Sequence, residues 1–195
     1  MYQLGIRLRR CAGAGAIALG FVMAGQLPSV AQELITLDAP VMVTSVGQNL
    51  DAFALQLAVQ RAGVQPNYDN HYEADDLGDE RTLFLAVGAS LKGFGEAGIT
   101  IEDEIARAGH LIDAAEAKGV TVVMVHLGGA AARDELSDQL IQVVAPRSHL
   151  IIMVPESDTD GMIAAIAEAN GIPTRETQSA IYLPDLLKAG FGSGS

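Results

Sequence analysis

Residues Val120-Thr121-Val122-Val123-Met124-Val125 form an apolar run that stops at once in His126-Leu127-Gly128-Gly129. Three other stretches share this form. Val41-Met42-Val43 exits into Ser45-Val46-Gly47-Gln48, Leu83 to Val87 into Gly88-Ala89-Ser90-Leu91-Lys92-Gly93, and Leu150 to Val154 into Pro155-Glu156-Ser157-Asp158. A strand exposed on one face alternates apolar and polar residues, whereas a strand covered on both faces reads as an unbroken apolar run. The four runs therefore predict a parallel sheet sandwiched between helices. In such sheets ligands sit beyond the carboxyl ends of the strands, where these runs turn polar.

Between the runs the apolar period changes from strand to helix. Leu50, Phe53, Ala54, Leu57 and Ala58 predict a helix that ends near Gly63. Asn67-Tyr68 is a weak strand signal, followed by the acidic run Glu73 to Glu80. Thr100-Ile101-Glu102-Asp103 fits a capping box, and Ile101, Ile105, Ala108, Ile112 and Ala115 carry an apolar face to Gly119. Helices are expected over residues 131–144, stopped by Pro146, and over 159–170, capped by Asp158 and closed by Gly171. A short edge strand at 174–177 and a helix at 184–189 complete the pattern. The expected architecture is one three-layer α/β/α domain over residues 32–190, with a mostly parallel sheet of five or six strands and a flexible tail at 191–195. Right-handed crossovers make flavodoxin-like (Rossmann-like) order the simplest.

Residues 1–31 read as an export signal. Arg7, Arg9 and Arg10 precede the small and apolar stretch Cys11 to Gly25, and Ser29-Val30-Ala31 forms an A-x-A-like cleavage site. A periplasmic or secreted location is expected, with no stable membrane insertion after cleavage. The segment holds three of the 12 basic and none of the 24 acidic residues, which leaves 9 basic against 24 acidic residues and a formal charge of −15. Nucleic acid, which recruits basic patches, is a poor partner for such a chain. The single cysteine, Cys11, leaves with the signal, so neither a disulfide nor a thiol nucleophile is expected.

In flavodoxin-like order the loops Ser45 to Asp51 and Gly88 to Gly98 lie side by side at the switch point. Ser45, Gln48 and Asn49 at a helix start suit an anion, and they suit helix capping equally well. Most basic residues fall near helix ends or in connections, but Lys92 and Arg133 follow strands, with His126 ending the strand between them. Ser45, Gln48, Asn49, Ser90, Lys92, His126 and Arg133 are therefore the expected ligand-binding residues, for an anion such as a carboxylate or phosphate. The competing reading leaves Lys92 solvated and pairs Arg133 with a carboxylate such as Asp134.

Sharper motifs fail in these loops. Gly93 to Gly98 spells G-x-G-x-x-G but starts well past the strand, without the acidic residue of a dinucleotide site. Gly88-Ala89-Ser90-Leu91-Lys92 opens like a nucleophile elbow, but Lys92 replaces the second glycine and no helix is expected to follow at once. His71, His110, His126 and His149 show no metal-ligand spacing, and the acidic run lacks the order of a calcium loop. No metal and no cofactor are expected; flavin mononucleotide would find only Phe94 as an aromatic cover at the crest.

Asp38 to Gln48, then Val87 to Gly93 with Ala97-Gly98-Ile99, and His126 to Gly129 followed by Glu135-Leu136-Ser137-Asp138 together resemble an uncharacterised family of bacterial exported proteins, a domain of unknown function. The resemblance covers nearly all of the chain after the leader and implies export and a single α/β domain. The expected function is an exported protein that binds a small anionic metabolite, accessory to a membrane transporter or sensor. The alternatives are a small serine hydrolase using Ser90 and His126, and a protein-interaction domain.

Overall fold

The computed structural model describes Met1 and residues 35–192. The expected leader therefore lies, Met1 apart, outside the described residues, as does the end of the expected tail. Six strands form one fully parallel sheet: β1 (Val41–Val46), β2 (Asn67–Tyr68), β3 (Thr82–Val87), β4 (Thr121–His126), β5 (Leu150–Met153) and β6 (Thr174–Glu176), in the order β2-β1-β3-β4-β5-β6. This is the flavodoxin-like order, with the chain reversing its direction of travel between β1 and β3. The helices are α1 (Asp51–Arg61), α2 (Leu91–Ala97), α3 (Ile101–Lys118), α4 (Glu135–Val144), α5 (Met162–Asn170) and α6 (Leu183–Gly190).

The unbroken apolar strands are explained by two cores, one on each face of the sheet. On one face Met42, Leu83, Leu85, Val122, Met124 and Ile151 pack with Leu111 and Ile112 of α3, Leu140 and Val144 of α4, and Ile163 of α5. On the other, Val41, Val43, Phe84, Val123, Val125 and Ile152 pack with Leu55 and Val59 of α1 and with Leu183 and Leu187 of α6. Successive strand residues feed opposite cores, so neither face can be polar.

Helix starts follow their caps. The Thr100–Asp103 capping box opens α3, and Gly119, with φ 68°, closes it. Asp158 accepts hydrogen bonds from the Ile163 and Ala164 amides at 2.7 and 2.9 Å, which caps α5 although the helix begins only at Met162. The expected helix over 131–144 begins at Glu135, because Asp134 accepts from the Ser137 amide at 2.7 Å and Ala130–Ala132 form a 3-10 turn before it.

Two expectations change. The Gly88–Gly98 segment is not a loop throughout: α2 starts at Leu91, with the Ser90 hydroxyl accepting from the Gly93 amide at 3.1 Å. Phe94 anchors that helix in the core despite its two glycines. At the carboxyl terminus Phe191, expected in the tail, packs its ring on Phe84 at a centroid distance of 6.4 Å, and the Gly190 carbonyl accepts from the Leu37 amide.

Candidate functional site

The β1–α1 connection is built to lie against β3. Gly47 has φ 109°, and a Cβ there would collide with the Gly88 carbonyl, so only glycine permits the two loops to touch. The Gly88 amide donates to the Val46 carbonyl and the Ser90 amide to the Gly47 carbonyl at 2.9 and 2.8 Å. Asn49 completes the junction. Its side-chain amide donates to the carbonyls of Ala86 and Gly88 at 3.0 and 2.8 Å, and its Oδ1 accepts from the Asp51 amide. The buried Ser45 hydroxyl accepts from the Asn49 amide at 2.9 Å. Ser45 and Asn49 thus brace the switch point internally.

Gln48 sits in the left-handed region at φ 55° and turns toward the segment after β2. Its Oε1 accepts from Asn70 Nδ2 at 2.9 Å, and its Nε2 lies 3.4 Å from the Asn70 carbonyl and 3.3 Å from His71 Nδ1. Tyr68 donates its hydroxyl to Asn70 Oδ1 at 3.3 Å. These groups border a cleft of about 430 Å³ lined by Gln48, Asn49, Leu50, Tyr68, Asn70, Gly93, Glu96 and Ala97. Amides, a phenol and one carboxylate supply its polarity.

A buried ion pair anchors the segments next to Gln48 and Asn70 that border the cleft. Arg107 donates from Nε and Nη2 to the two carboxylate oxygens of Glu104, both at 2.8 Å. Its remaining donors reach the Tyr72 and Ser45 carbonyls, both at 2.6 Å, and Glu104 accepts from the Gly47 amide at 2.7 Å. The guanidinium therefore ties α3 to the end of β1 and to the segment after β2, and Glu104 adds the loop after β1 through Gly47. Burial alone would raise the Glu104 carboxyl, but the Arg107 bonds and charge, with the Gly47 N–H, hold it below its ordinary value.

The described residues match one family model, the domain of unknown function DUF6305, over residues 38–191. The chain belongs to the DUF6305 family. No curated protein and no solved structure matches it. The matched span of this DUF6305 domain includes every strand, the cleft and the Glu104–Arg107 pair.

The remaining expected site residues of the DUF6305 domain do not line the cleft, although Lys92 pairs with Glu96, which does. Lys92 is almost fully exposed and lies 3.5 Å from Glu96, one helical turn on. Arg133 is held by carboxylates, although not by Asp134: Nε donates to Asp138 at 2.6 Å, Nη2 to Asp160 at 3.0 Å, and Asp158 lies 3.8 Å from Nη1. The two cations do not share a ligand seat, and neither lines the cleft. Asp138, five residues on, and Asp158 and Asp160, 25 and 27 residues on, together neutralise Arg133; sequence spacing suggests the first partner but not the other two.

His126 is fully buried at the end of β4. Its Nδ1 lies 2.6 Å from the Val87 carbonyl, which places the proton of the neutral ring on Nδ1 and leaves Nε2 a bare acceptor without a hydrogen-bond partner. Burial pushes the imidazole pKa down against the opposing pull of the Val87 carbonyl and the Asp51 charge. Burial likewise raises the Asp51 carboxyl. Ser90, occupied in capping α2, makes no hydrogen bond with His126, so the pair needed by a serine hydrolase is not formed. Among the described residues no three His, Cys, Asp or Glu side chains converge as a metal site would require, and no helix is long and apolar enough to cross a membrane.

Sequence reading missed Tyr68, Asn70, Glu96, Glu104 and Arg107. Two signals would have found most of them. The rule that ligands gather beyond strand ends applies to the weak strand β2 as well, which points to Asn70. Glu104 and Arg107 fall on the same helical stripe as Ala108, Leu111 and Ala115, so charge on that stripe marks a buried pair.

Proposed function

We propose that the chain is an exported binding module that seats a small polar ligand in the cleft beside the β1–β3 switch point. The carrying observation is the lining itself: Gln48, Asn49 and Asn70 amides, the Tyr68 phenol and the Glu96 carboxylate, with no cation. Hydrogen-bonding capacity remains there for a ligand. Asn70 Nδ2 has a second hydrogen, Gln48 Oε1 a second lone pair, and the Tyr68 oxygen accepts as well as donates. A neutral or cationic ligand fits this chemistry better than the anionic metabolite that Lys92 and Arg133 suggest from sequence. Export rests on the pattern of basic, apolar and small residues from Arg7 to Ala31. A single lobe leaves its ligand open on one side, which suits transfer to a membrane transporter or sensor rather than long retention.

The test is a thermal-shift screen of the full chain against neutral polyols and amides, amines, carboxylates and phosphates. A ligand at about one hundred times its Kd adds roughly 2.7 kcal/mol, a rise of several degrees. The expected result is such a rise with a neutral or amine ligand, lost in Asn70→Ala and kept in Lys92→Ala and Arg133→Ala. Stabilisation by carboxylates or phosphates alone, abolished by Lys92→Ala, would sink this reading and restore the anionic one.

A further inference from the structure

The structure points to a second site of contact, on the outer face of α1. That helix buries Ala52, Leu55, Ala58 and Val59 against the sheet. Its opposite face is not polar, as a solvated helix face should be. Leu50, Phe53 and Leu57 are 89, 53 and 37 % exposed, and their spacing of three and then four residues aligns them in one stripe. Tyr68, 37 % exposed on the adjoining edge strand, meets Phe53 edge to face at 6.4 Å. Contiguous apolar groups of this size on a soluble domain mark an interaction surface.

We propose that this face joins two copies of the chain, with their α1 helices antiparallel across a two-fold axis. The charges at the two ends of the stripe choose that occupant. Arg61, exposed, ends the stripe at the carboxyl end of α1, and Glu96 stands in the cleft that Leu50 lines at the amino end. Antiparallel pairing sets Phe53 against the partner's Leu57 and Arg61 beside the partner's Glu96, and symmetry makes each contact twice. It also opposes the two helix dipoles favourably. Parallel pairing would place Arg61 beside the partner's Arg61. The present partner of Glu96 is Lys92, in an exposed pair of the kind that contributes little, so Glu96 is free to be shared. The net charge of −12 on each copy opposes association, but at physiological salt screening confines that repulsion to about 8 Å. Leu50, Tyr68 and Glu96 also line the cleft, so the association is measured without added ligand, where its failure is separate from any failure of ligand binding.

Sedimentation equilibrium of the full chain tests it. The wild type should show a concentration-dependent dimer, and Phe53→Ser should weaken it at least about tenfold while leaving the circular dichroism spectrum unchanged. Arg61→Glu should weaken it too, and Arg61→Glu combined with Glu96→Arg should restore it. A wild type that stays monomeric at tens of micromolar, or a Phe53→Ser variant that dimerises as well as the wild type, overturns the proposal. Failure of the charge swap to restore the dimer overturns the antiparallel arrangement. A monomer that instead binds a helical peptide rich in leucine and lysine through Phe53 assigns the face to a foreign partner and overturns it as well.

Discussion

Arg107 shows how much of the site depends on one buried charge. With its guanidinium removed, Glu104 would keep a charge in the core with only the Gly47 amide beside it, so Arg107→Ala should cost about 3–5 kcal/mol in urea unfolding. Replacing both residues, as Glu104→Met with Arg107→Met, should recover much of that loss, because no uncompensated charge is left. The depressed Glu104 carboxyl also makes this contribution dependent on pH. It is complete above the ordinary glutamate range and fades as acid protonates the folded form, so the stability gap between wild type and Glu104→Gln should narrow on acidification.

His126 acts in the same direction as Glu104 but in a higher pH window. Its folded pKa is depressed, so below about pH 7 the unfolded chain takes up a proton that the folded chain resists. Stability should therefore fall as pH drops through the ordinary histidine range. That slope should flatten in His126→Gln, whatever the absolute stability of the variant. Asp51, whose pKa is raised, contributes an opposite slope at lower pH, nearer the carboxylate range. The pH profile of the difference between wild type and variant isolates the imidazole.

At the scale of elements, α2 separates two kinds of glycine. Helix propensity favours alanine over glycine by about 0.5–1 kcal/mol, and nothing stands near a Cβ added at Gly95, so Gly95→Ala should stabilise by roughly that amount. A Cβ at Gly93 would collide with the Gln48 carbonyl, so Gly93→Ala should destabilise and disturb the cleft despite its better propensity. Thermal melts of the two variants should shift in opposite directions. The same residues explain why sequence reading passed over α2. Two glycines in seven residues argue against a helix, and the close approach of Gly93 to Gln48, which requires glycine, is a tertiary fact. The four main strands and α3 were legible because double burial and a capping box are written locally. The shortened start of α4 was not, since Asp134 serves as its cap while Arg133 turns to Asp138 and Asp160.

For the whole molecule, the strand ends are legible in the sequence, and which side chains line a cleft beside them is not. The punctuation of the strands locates the crest, and the strand order sets the Ser45–Asp51 connection beside the end of β3. Counting cations along the chain says nothing about which of them are already paired. Arg133 finds one carboxylate in the following helix and two more in the loop after β5, Lys92 finds Glu96 one turn away, and the cleft forms instead beside the weakest strand, β2. Arg133→Ala should accordingly lower the melting temperature without changing any ligand response, a result that differential scanning fluorimetry with and without ligand would read directly.

The cleft is tested most directly by mapping amide chemical-shift changes in the nitrogen-15-labelled full chain during titration with neutral, amine and anionic ligands. The account predicts changes clustered at residues 48–50, 68–70 and 93–97 with a neutral or amine ligand. Changes centred instead on Arg133 and its carboxylates, or none with any of these classes, would contradict it.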